Sequence, residues 1–159
     1  VVYSVDDNFT TSFMTMLNLL PFFPLYYNGK TKFIPIHVSE VSDIILHIIE
    51  KNISSEIIEC VGSQEYTFKE ILQKLLQLIN KNKILIPLPL VIGKIMARFL
   101  EMFPKPLLTL DQLKLLNYNN ILSGRYKSNF DIGLEPKLKF EEEVAKYCYM
   151  WKDGGEYSK

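Results

Sequence analysis

TKFIPIHVSEVSD, residues Thr31–Asp43, is the stretch on which the fold turns. It reads as a short strand over residues 33–38 running straight into a helix capped near Ser39. Before it, Tyr26-Tyr27-Asn28-Gly29-Lys30 supplies a turn, because Asn-Gly accepts the positive φ angles of a tight hairpin loop. After it, Val41, Ile44, Ile45, Ile48 and Ile49 recur at helical spacing and give the helix one apolar face. A strand, a helix and a further strand over residues 57–61 predict an α/β chain.

Outward from this unit, Val1-Val2-Tyr3 reads as the end of a strand, and Asp6-Asp7-Asn8 offers cap chemistry for a helix over residues 9–20. Pro21 and Pro24 end that helix, since neither has the N–H a continuing helix needs. Thr67-Phe68-Lys69-Glu70 is a capping box. Its helix carries Phe68, Ile71, Leu72, Leu75, Leu76 and Ile79 on one face. Residues 84–88 form a short apolar run before Pro89. In the helix expected over Leu90–Phe103, Lys94, Arg98 and Glu101 share one face and apolar residues cover the rest. That pattern suits a helix packed on its own domain, with an interfacial membrane helix as the alternative. Pro104-Lys105-Pro106 reads as a rigid break. Thr109–Gln112 is a second capping box. Residues 117–125 read as a polar loop and 130–136 as a turn. A last helix over residues 138–152 has Glu141, Glu142 and Glu143 in its first turns, complementing the helix dipole. Its apolar stripe is Phe140, Val144, Tyr147, Cys148 and Trp151.

Composition removes several function classes. The 159 residues suffice for one domain with a real core. Eighteen basic residues balance eighteen acidic ones, so no net field attracts nucleic acid or an anionic surface. Arg98 and Arg125 are the only arginines, too few for a surface of bidentate phosphate forks. Cys60 and Cys148 lie in apolar patterns and read as free buried thiols. His37 and His47 match no metal-ligand spacing, and no metal site is expected. No apolar run is long enough to span a membrane, and no secretory signal stretch is present. The opening Val-Val-Tyr reads as a start inside a longer protein.

The seven glycines form neither G-x-G-x-x-G nor G-x-x-G-x-x-G, so the phosphate-binding turn of a dinucleotide site is not written here. Tyr26 and Lys30 spell Y-x-x-x-K, but Asn28-Gly29 between them demands a turn where that acid–base pairing needs a helix. The match reads as accidental. His37, at a strand end, reads as a hydrogen-bonded structural group with a substrate-side role as the alternative.

FIPIHVSEVSD (residues 33–43) resembles the F/Y-x-x-V-H-V-x-D-V-A segment of extended and atypical short-chain dehydrogenase/reductases. Other pieces follow in that family's order: VVY…DDNF, IIECVGSQEYTFKEIL (57–72), ILIPLPLVIGKIMA (84–97), PKPLLTLDQLKLLNYNN (104–120) and DIGLEPKLKFEEEVAKY (131–147). Together they resemble the subgroup around the nucleotide-binding accessory subunit of respiratory complex I, the NADH–ubiquinone enzyme, and its bacterial relatives. LTLDQLKLL with the following Asn pair is the most specific piece.

The resemblance implies the C-terminal portion of an extended Rossmann-type enzyme fold: the last sheet strands plus a helix-rich substrate-side lobe. Residues 1–66 would be the end of the Rossmann domain interleaved with a hairpin and helix of the lobe, and residues 67–159 the mostly helical lobe. Val1–Tyr3 would end the sixth Rossmann strand and residues 57–61 would be the seventh. NAD or NADP would bind the longer protein, with the glycine turn and Tyr/Lys pair upstream. By the same resemblance Tyr3, Ser4 and Val5 form the nicotinamide-side loop, and Asn8, Phe9, Phe33 and His37 are substrate-side candidates. Catalytic residues within the chain are not expected.

Three departures stand out. Tyr3-Ser4-Val5-Asp6-Asp7-Asn8 replaces F-G-P-E-D-N and loses the Gly-Pro turn. Glu40, a longer acid that caps less well, takes the place of an Asp. Phe33 stands where nucleotide-sugar epimerases carry a diphosphate-gripping Arg, which speaks against a sugar-nucleotide substrate.

The readings are therefore an accessory or assembly-type complex I subunit homologue, a catalytic NAD(P)-dependent oxidoreductase or epimerase/dehydratase, and a peripheral membrane module. The first implies respiratory-complex subunits as partners and a cytoplasmic location, peripheral at the inner membrane. The chain by itself should not bind NAD(P)H, because no phosphate cradle is encoded. A fluorescence titration should stay flat, and saturable micromolar binding would overturn this.

Overall fold

The computed structural model describes residues 1–102 and 108–157. In chain order the strands are β1 (Val2–Tyr3), β2 (Phe22–Leu25), β3 (Lys32–Phe33), β4 (Ile36–His37), β5 (Ile58–Glu59), β6 (Tyr66–Thr67), β7 (Ile84–Pro87) and β8 (Lys127–Ser128). The helices are α1 (Thr10–Leu19), α2 (Val38–Glu50), α3 (Phe68–Leu78), α4 (Leu90–Leu100), α5 (Leu110–Leu115) and α6 (Phe140–Ala145). The chain is α/β, as expected.

The single strand expected over residues 33–38 is two strands with different partners. Pro35 lies between them and has no N–H to give a ladder. Before it, β3 runs antiparallel to β6, with Phe33 opposite Tyr66. After it, β4 runs parallel to β1, with Tyr3 opposite His37. Gly62 makes room for this break. A Cβ at that position would lie 1.9 Å from the Pro35 carbonyl oxygen, so no larger residue fits without moving backbone.

The main core is built on α3. The Thr67 hydroxyl accepts from the Glu70 N–H (3.2 Å) and the Glu70 carboxylate accepts from the Thr67 N–H (2.7 Å), closing the expected capping box. Phe68, Ile71, Leu72, Leu75, Leu76 and Ile79 are all buried. Against them pack Met14 and Leu17 of α1, Phe23 and Leu25 of β2, and Phe140 and Val144 of α6. Two hydrogen bonds tie the C-terminal segment to α1: Thr10 Oγ1 meets the Tyr147 hydroxyl at 2.7 Å in the interior, and Trp151 Nε1 donates to Thr15 Oγ1 at 2.9 Å. Residues on both sides of position 66 contribute to this one core.

Other expectations are corrected. The turn around Asn28-Gly29 is not a hairpin. Tyr26–Gly29 forms a tight 3-10 turn in which Tyr27 and Asn28 have φ of 51° and 56°. The strand entering it, β2, pairs in parallel with β7 instead of doubling back on β3. That strand contains Pro24, which an edge position tolerates. The strand over residues 57–61 shrinks to β5, whose parallel partner is β8, a strand between the expected loop and turn that the sequence does not announce. The last helix splits into α6 and a 3-10 turn at Cys148–Trp151, while its predicted apolar stripe is buried as expected. Phe103 and the break at 104–106 lie outside the described residues.

Two helices keep their apolar faces uncovered. On α2 only Ile44 is buried, while Ile45 and Ile49 are 52% and 65% exposed. On α4 the buried positions are Gly93 and Ala97, not the large residues. A Cβ on Gly93 would lie 2.3 Å from the Tyr26 ring, so small residues let α4 lie close against that turn.

Leu72→Ala should lower stability by about 2–5 kcal/mol and Thr67→Ala by about 0.5–2 kcal/mol. Urea denaturation followed by circular dichroism measures both. A Leu72→Ala cost no larger than that of the cap would contradict α3 as the centre of the core.

Candidate functional site

The residues picked out from the sequence fall around the β1–β4 pair and the start of α1. Tyr3 is buried, its ring edge-on to His37 (centroids 5.2 Å apart) and to Phe140 (5.0 Å). Tyr3 is thus a core residue, while Ser4 is half-buried and Val5 exposed. The loop that follows is held by one carboxylate. Asp7 accepts from the backbone N–H of Ser4 (3.1 Å), Phe9 (2.9 Å) and Thr11 (3.0 Å), and from the Thr10 hydroxyl (2.7 Å). The Asp-Asp-Asn cap signal marks this carboxylate for the start of α1, though not its grip on Ser4.

Phe9 and Phe33 come together with ring centroids 5.6 Å apart, and Phe33 lies 6.2 Å from Phe68. Phe13 joins them through Phe9 at 5.0 Å and Phe68 at 5.1 Å. These tilted and edge-to-face rings belong to the main core, with Phe33 and Phe68 buried and Phe9 and Phe13 half-buried against them. Asn8 is exposed beside it in sequence. His37 holds backbone in place: its Nδ1 accepts from the Ser39 N–H at 3.3 Å and lies 2.7 Å from the Ser39 hydroxyl, so it caps α2. The cap expected near Ser39 is therefore made slightly earlier in the chain, by the imidazole.

A polar cluster escapes any reading of the sequence. The Tyr66 hydroxyl donates to Glu141 Oε2 (3.0 Å) and to Gln64 Oε1 (3.1 Å). Lys74 bonds the other oxygen of Glu141 and sits 5.1 Å from the Tyr66 ring centroid. Residues 66 and 141 meet only through tertiary packing, so no local pattern signals the pair. Burial, and then the Glu141 carboxylate, push the Tyr66 hydroxyl well above the ordinary phenol range. Burial does the same to Tyr3 and Tyr147. A catalytic tyrosine needs the opposite shift. Burial also raises both thiols, so Cys60 and Cys148 are poor nucleophiles. Both are free.

The Y-x-x-x-K pair does not assemble as a helical acid–base unit. Tyr26 is buried under α4, and Tyr27, Asn28 and Gly29 between the pair all have positive φ. Glu40 uses its extra length to reach another segment, where Oε1 accepts from the backbone N–H of Lys137 (2.6 Å) and Leu138 (2.9 Å). It borders a cleft of about 330 Å³ with Asp43, Asn129 and Glu135. Among the described residues no group of three His, Cys, Asp or Glu could hold a metal ion.

The residues present do not fit a dinucleotide. Glycines with positive φ at 29, 124, 133 and 154 are scattered, and none opens a helix as a pyrophosphate turn requires. The acidic cleft beside Glu40 would repel phosphate.

The fold resembles part of two solved nucleotide-cofactor enzymes, a reductase and a dehydratase. One is the GDP-mannoheptose C4 reductase of Campylobacter jejuni with NADP bound, with a TM-score of 0.56 and 14% identity over 94% of this chain and 46% of that one. Another is the dTDP-glucose 4,6-dehydratase of Streptomyces venezuelae with NAD and TYD bound, with a TM-score of 0.59 and 14% identity over 99% of this chain and 43% of that one. The chain thus spans less than half the length of these structures. No protein-family model and no curated protein matches it.

Because the three tyrosines hold their protons more tightly when folded, stability is full below the free phenol value of about 10 and is lost as pH rises past it. In urea unfolding between pH ~8 and ~11, a window that spans that value, Tyr66→Phe should flatten the alkaline slope. Parallel slopes would show that Tyr66 is not a buried, proton-retaining group.

Proposed function

We propose that this chain is the substrate-side, C-terminal part of a longer NAD(P)-binding protein of the extended short-chain dehydrogenase/reductase type. Its role in that protein is as an accessory or assembly-type subunit of respiratory complex I, with no catalysis in this part. The observation that carries the first half is the uncovered stripe of α2. A helix with Val38, Ile45 and Ile49 left in solvent is a helix made to lie against something. The reductase and the dehydratase are each more than twice this chain's length, and the unmatched part of each offers an occupant of the right kind.

The complex I assignment rests on the sequence resemblance, and the Asn pair at its most specific point has a clear job. Asn119 Oδ1 accepts from the Lys32 N–H at 2.9 Å. The Asn120 N–H donates to the Lys32 carbonyl at 2.7 Å and its carbonyl accepts from the Ile34 N–H at 3.1 Å. The pair therefore extends β3 on the side away from β6 and joins the segment after α5 to the core. Buried, proton-retaining tyrosines and raised thiols support a non-catalytic role for this part. A second reading keeps catalysis in the longer protein, as a reductase or dehydratase with its Tyr/Lys pair upstream. The names of the two solved structures favour that chemistry.

An antibody against residues 109–120 should detect a native gene product about twice this chain's mass, migrating with respiratory complex I on a native gel. Migration apart from the complex, with NAD(P)H-dependent turnover of a nucleotide sugar, would favour the second reading. A product of 159 residues would overturn both.

A further inference from the structure

We draw no further inference here: the strongest candidate, the acidic cleft of about 330 Å³ between the start of α2 and residues 134–138, carries nothing, because no observation among the described residues points to a ligand in it and the unpartnered Glu40 Oε2 is closed off from solvent.

Discussion

The chain changes partners at Pro35, and the rest of the structure depends on that change. A residue without an N–H interrupts what would otherwise be one strand, and Gly62 lies so close to the Pro35 carbonyl that only a glycine fits there. On one side the chain joins β6 and so delivers Thr67, the cap of α3. On the other side it joins β1 and delivers His37, the cap of α2. Two helices with different fates therefore start from one short stretch. One becomes the centre of the core. The other is set at the edge with its apolar stripe in solvent.

The aromatic cluster of Phe9, Phe13, Phe33 and Phe68 is part of the core, and the hydroxyls near it keep their protons. What the chain offers to other molecules is two apolar helix faces of different character. That of α2 lacks cations along its stripe, and that of α4 is flanked by Lys94 and Arg98.

Much of this is legible in the sequence wherever the determinant is local. The Thr67 and Thr109 capping boxes, the six buried positions of α3 and the stripe from Phe140 to Trp151 are all set by spacing within a few turns. The two-residue strand β8 is not legible, because Lys127-Ser128 is polar and only its pairing with β5 makes it a strand. β2 is hidden by Pro21 and Pro24, which end a helix and also discourage a strand. At the candidate site, the meeting of Tyr3 with His37 depends on register across 34 residues, and that of Tyr66 with Glu141 on packing across 75. Periodicity marks an apolar face correctly but does not say what covers it. For α2 and α4, nothing within the described chain does so fully.

The central claim is that the stripe of α2 is an interior surface of a longer protein. Hydrogen–deuterium exchange on the native gene product and on this chain, compared over peptides from residues 44–50, tests it most directly. Slower exchange of α2 in the native product, with α3 equally protected in both, is the expected result. Equal exchange of α2 in the two would mean that the face is exposed in the working protein, and the account would be wrong.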